Sequence, residues 1–127
     1  MAALNELALS KVASVASVDM KTAAKTTLYT VPVGKILLPF AIIVRVTSGS
    51  LAGGTEYDFG VGANCDTWKQ DVDLSSLTTP VTDYIIVTAL TKFQNCVAGD
   101  EFGVKVITGA TDAATATIDV IGYLTDA

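Results

Sequence analysis

The chain has 127 residues, half of them hydrophobic, with 13 acidic residues, 8 basic residues and a formal net charge of −5. That length supports one domain with a real core. It contains no histidine, which excludes Ser-His-Asp and Cys-His catalysis, histidine-based metal sites and the usual general base near neutral pH.

Residues 1–24 read as an N-terminal arm. The stretch is rich in Ala, Ser and Val, and Leu4, Leu7, Ala8, Val12 and Val15 fall near one helical face. From Val12 to Val18 a valine recurs every third residue, which suits neither a strand nor a strong helix. The expected state is weak order alone and order against a partner; an amphipathic helix packed on its own domain is the alternative.

Residues 25–127 read as an all-β domain. Thr26–Val31 is the first expected strand, and Pro32 stops it because proline cannot donate to a ladder. Gly34 supplies a permissive turn residue before a second strand, Ile36–Thr47. Pro39 forces that strand to an edge or into a bulge. Residues 48–54 hold three glycines and read as a flexible connector. Thr55–Gly62 alternates cleanly, with Tyr57, Phe59 and Val61 on one side and Glu56, Asp58 and Gly60 on the other.

Asn64–Val72 is a short strand or loop, and residues 73–80 are a connector in which Asp73 is placed to cap one helical turn. Thr82–Thr91 contains the apolar run Tyr84-Ile85-Ile86-Val87, which suits a central strand. A short strand over Lys92–Cys96, a strand over Glu101–Thr108 with Phe102, Val104 and Val106 on one face, and a last strand over Ala114–Leu124 complete the pattern. The whole predicts a single-domain antiparallel β-sandwich, with a jelly roll as the favoured topology.

No segment matches a helical membrane span. The longest apolar run, Ile36–Val44, has nine residues and includes Pro39, against about 20 for a span. The N-terminus lacks the pattern of a secretory signal, so cytoplasmic synthesis is expected. Mean hydropathy is nonetheless positive, and surplus apolar surface in a short chain usually goes into contacts between subunits.

Charge is uneven. Residues 1–48 carry five basic and two acidic residues, net +3; residues 49–127 carry three basic and eleven acidic, net −8. An acidic body argues against nucleic acid as its partner. Cys65 and Cys96 read as two buried thiols in a protein made in the cytosol. A disulfide would need their strands to meet, which stays open at this level.

No arrangement assigns a catalytic, cofactor-binding or metal-ligating residue. Cys65 lies next to Asp66, which opposes thiolate formation. Asp71 with Asp73, and Asp100 with Glu101, pair carboxylates as a glycosidase or calcium site would, but a solvated loop explains them more simply. Gly60-Val-Gly62 lacks the third glycine of a dinucleotide motif. Trp68, the single tryptophan, is a candidate interface anchor, a candidate sugar platform or a plug for one end of the core, the last being favoured.

The segment Leu28-Tyr29-Thr30-Val31-Pro32-Val33-Gly34-Lys35 resembles the strand-turn opening of small all-β virion proteins of tailed bacteriophages. The closing run Thr115–Tyr123 is similar to the way such sandwiches end. The resemblance is carried by residues 26–47 and 115–123. It implies a non-enzymatic structural protein that assembles as a homo-oligomer, a trimer above other orders. Within that class it is similar to capsid decoration, or cement, proteins, which bind the major capsid protein on the outer shell. That implies a place on the capsid surface of the virion, without cofactor, nucleic acid or membrane. The alternatives are a tail, baseplate or fibre component, or a carbohydrate-binding β-sandwich.

Overall fold

The computed structural model describes residues 9–89 and 95–127. Nine strands follow in chain order: β1 Ser10–Asp19, β2 Lys25–Thr30, β3 Lys35–Ser48, β4 Glu56–Gly60, β5 Lys69–Val72, β6 Tyr84–Thr88, β7 Cys96–Val97, β8 Glu101–Thr108 and β9 Thr115–Asp126. Among the described residues no helix occurs. The strands form two antiparallel sheets packed face to face. Sheet A runs β1-β9-β3-β6, with β7 on the same strand β3; sheet B runs β2-β8-β4-β5.

The pairing is nested. β1 pairs β9, β2 pairs β8, β3 pairs β6 and β7, and β4 pairs β5. The first half of the chain therefore folds back along the second half in reverse order. The β3·β9 and β4·β8 ladders join these ribbons into the two sheets.

The core lies between the sheets. Leu37, Ile42, Val44 and Val46 of β3, with Ala116, Ile118 and Val120 of β9, meet Tyr57 and Phe59 of β4 and Phe102, Val104 and Val106 of β8. Each set alternates along its strand, as the two-residue side-chain period requires. The exception is the middle of β3, where the register slips between Pro39 and Ala41. That bulge lets a proline sit in a central strand. Its neighbour Gly122 is needed for close approach, because a Cβ there would stand 2.6 Å from the Leu38 carbonyl oxygen.

The turn before β3 forms as expected. The Lys35 N–H donates to the Pro32 carbonyl at 3.2 Å, and Gly34 takes φ +80°. The glycine-rich connector is not loose. Leu51 is fully buried, its N–H donates to the Leu77 carbonyl, and the Leu74 N–H donates to the Gly54 carbonyl. The glycines there allow tight packing, since a Cβ on Gly53 would lie 2.3 Å from the Thr111 hydroxyl.

Two expectations are corrected. Residues 10–19, read as part of an arm over 1–24, form β1 and pair along β9. The three-residue valine spacing arises from bulges. The register slips between Lys11 and Ala13 and between Val15 and Val18, and Ser17 takes φ +57°. Ala13, Val15 and Val18 are thereby all opposite buried β9 residues. Residues 1–8 of the expected arm, and residues 92–94 of the short strand expected over 92–96, lie outside the described residues. The second correction concerns β6. Its apolar run reads as a central strand, yet β6 is at the end of sheet A.

Candidate functional surface

The residue types that carry chemistry are used structurally. Trp68 is 6% exposed. Its ring meets Phe102 edge-on, with centroids 5.8 Å apart, and its Nε1–H donates to the Pro39 carbonyl at 3.3 Å. It closes the core and offers no face to a sugar. Asp73 accepts from the N–H and hydroxyl of Ser75 at 2.9 and 2.6 Å, forming an Asx turn rather than a helix cap. Those hydrogen bonds, the hydroxyl's first, hold its carboxyl below the usual value. Asp71 takes φ +56° and its backbone N–H donates to Asp58. Asp71 thus links β5 to β4, whereas Asp73 closes a local turn.

Asp100 accepts from the Val97 N–H at 2.9 Å. Glu101 accepts from the Thr27 hydroxyl at 3.0 Å and lies 3.6 Å from the Lys25 ammonium. Both therefore tie neighbouring elements together.

Cys65 and Cys96 are buried thiols, one in the β4–β5 loop and the other in β7. Burial pushes the Cys65 thiol up and the Cys96 thiol up to about 11, away from the thiolate a nucleophile requires. Among the described residues, no three Cys, Asp or Glu side chains gather as a metal site would need, and no helix is long and apolar enough to cross a membrane.

The outer faces of the two sheets differ. Sheet B's outer face carries the half-buried Lys25, Lys105 and Glu56, laid out by the β2·β8·β4 register, while Asp58 is buried. On sheet A, the half near the start of β3 is apolar. Leu38 and Phe40 of β3 and Tyr123 of β9 face outward there, and Phe40 is exposed; the exposed Ile86 of β6 lies further along, in the row of Ile43 and Asp119. Leu38, Pro39, Phe40, Asn95 and Tyr123 line a cleft of about 360 Å³.

The other half of sheet A's outer face carries a polar network. Asp119 of β9, only 7% exposed, accepts from Ser14 of β1 at 2.5 Å and lies 3.5 Å from the Arg45 guanidinium of β3. This network crosses three strands. Sequence reading missed it because its members lie 31 or more residues apart, and only the β1·β9·β3 register brings them together.

The described residues thus form a two-sheet antiparallel sandwich with one apolar outer half-face. In fold the chain is similar to a chain of the cyanophage Pam1 capsid asymmetric unit, with TM-score 0.52 and 15% identity over 91% of this chain and 83% of that one. No protein family matches the chain, and no curated protein does.

Proposed function

We propose that this chain is a non-enzymatic structural protein of a tailed-phage virion, and within that class a capsid decoration protein. It binds the major capsid protein on the outer shell as a homo-oligomer and stabilises the shell against outward pressure. The observation that carries this reading is the fold likeness, which spans 91% of this chain and pairs it with a chain of a phage capsid.

Three features support it. The nested order of strand pairs matches the wrap of a jelly roll. The apolar half-face of sheet A gives a small protein a surface to bury against a neighbour. The acidic body disfavours nucleic acid. In such a role, no single contact needs to be strong, because many copies each add a weak contact to one lattice.

The burial of Trp68 removes the main support for a sugar-binding module. The test is immunogold electron microscopy of phage particles from the source, with antibody to this chain. Label over the heads is the expected result. Label confined to tails would move the same fold to tail or baseplate duty. Unlabelled particles, with antibody that binds the free protein, would overturn the virion reading.

A further inference from the structure

A sheet end is a row of unpaired backbone donors and acceptors, and folded proteins guard it with bulges, charges, proline or very short strands. Among the described residues this sandwich has five such edge strands, and four are guarded, β7 by having only two residues. β1 carries two register slips, Lys11 and the left-handed Ser17. β2 has a slip between Thr27 and Tyr29 and begins with Lys25. β5 has four residues, includes Lys69 and Asp71, and pairs irregularly with β4.

β6 has none of these devices. It runs Tyr84-Ile85-Ile86-Val87-Thr88, without charge or proline, and pairs with residues 41–45 of β3 in unbroken register. Among the described residues, no strand pairs its far side. Its sequence is that of a strand flanked on both sides, with β-branched residues at successive positions. The outward side chains Tyr84 and Ile86 are 62% and 56% exposed.

A second observation concerns the loop that delivers β6. Val81 takes φ +68° and is 89% exposed. A β-branched residue in that region is an outlier, and such strain persists only where the surroundings impose it. Here they do. The Val81 N–H donates to the Val46 carbonyl at 2.9 Å, and Asp83 accepts from the N–H groups of both Thr78 and Thr79 at 2.9 Å. The loop is held rigidly while it presents an apolar side chain to water beside the open strand.

We propose that β6 is an interface between two copies of this chain, joined antiparallel, strand to strand, about a two-fold axis through Ile86. The occupant is a second copy because a strand end pairs best with another unguarded end, and among the described residues β6 is the unguarded end. The pairing is self-complementary. Ile86 faces Ile86 of the second copy, and Tyr84 faces its Thr88, which brings aromatic and β-branched residues into cross-strand contact. The two copies of sheet A become one continuous sheet. A two-fold contact yields even stoichiometries, so a three-copy ring would occur only as two rings joined through β6. The inference does not rest on the capsid reading and is tested on free protein.

The experiment is light-scattering mass measurement with hydrogen exchange on the wild-type chain, Ile86→Lys, Tyr84→Lys and, as a control, Ile107→Lys on the exposed end of β8 in sheet B. The expected wild-type mass is twice 13.1 kDa or a larger even multiple, with slowed exchange at residues 84–88. Ile86→Lys and Tyr84→Lys each halve that mass and restore fast exchange there, while Ile107→Lys keeps the wild-type mass. Tyr84→Lys serves if Ile86→Lys fails to fold. A monomeric or three-copy wild type would overturn the proposal, as would folded lysine variants of unchanged mass. In either event, head labelling in the particle experiment would still stand.

Discussion

The Tyr57 hydroxyl donates to the Met20 carbonyl at 2.7 Å, inside the core, and the Ala110 N–H donates to the same oxygen at 3.0 Å. One carbonyl in the β1–β2 link thereby holds β4 of sheet B and the β8–β9 link together. Burial pushes the Tyr57 phenol up to about 12, so the donating form persists at any ordinary pH. Tyr57→Phe removes one of the two donors and leaves the oxygen satisfied by Ala110. The cost is then the net value of one hydrogen bond, about 0.5–1.5 kcal/mol, rather than the larger penalty of an orphaned buried group. Chemical denaturation of the two proteins with unchanged m-values would check it.

Gly109 faces the same link. A Cβ at this position would lie 2.2 Å from the Lys21 carbonyl oxygen and 2.9 Å from the Lys21 Cα, both of them backbone atoms. Gly109→Ala therefore displaces the β1–β2 link and costs about 1–3 kcal/mol through overpacking. The loss should exceed that of Tyr57→Phe in the same denaturation series, and equal stability of Gly109→Ala and wild type would refute this packing argument.

Trp68 reports on the core. Trp68→Ala should destabilise by about 3–5 kcal/mol, as large aromatic deletions do. The wild-type indole should emit as a buried group and keep its intensity across a panel of simple glycans. Saturable quenching by a glycan would restore the sugar-binding reading.

Alkali should destabilise the fold through Cys96. Burial, with a smaller push from Asp100, raises its thiol from 9.0 to about 11. A raised folded value means that the stabilisation is complete below the unfolded value and is lost as pH rises through the folded one. The window is thus pH 9 to about 11 and is worth about 3 kcal/mol for a rise of that size. Cys96→Ala should start less stable, from lost packing, but fall less steeply across that window. Parallel stability–pH curves for the two proteins would refute the assignment.

Much of sheet B and the centre of sheet A is legible in the sequence, because alternation survives wherever one face is buried. Tyr57 and Phe59 of β4, and Phe102, Val104 and Val106 of β8, are inward as their spacing requires. β1 is illegible for a physical reason: bulges turn a two-residue period into a three-residue one, and the valines then imitate a failed helix. β6 misleads in the other direction, since its composition suits a strand with neighbours on both sides while the described residues supply one. Trp68 sits among polar neighbours in sequence, and its burial depends on Phe102 and Pro39, more than 25 residues away on either side. The Ser14–Asp119–Arg45 network is invisible for the same reason, as register alone assembles it.

The nested order of the pairs also fixes when the fold can close during synthesis. Of these nine strands β1 and β2 leave the ribosome before the others, yet their partners β9 and β8 follow all the rest. Until then the apolar strand β3 lacks β9, its longest ladder, and must wait beside an incomplete sheet. Pairings this distant along the chain make folding slow and leave sticky edges exposed meanwhile. Production of this protein should therefore respond to slower translation, lower temperature or chaperone supply more than its small size would suggest.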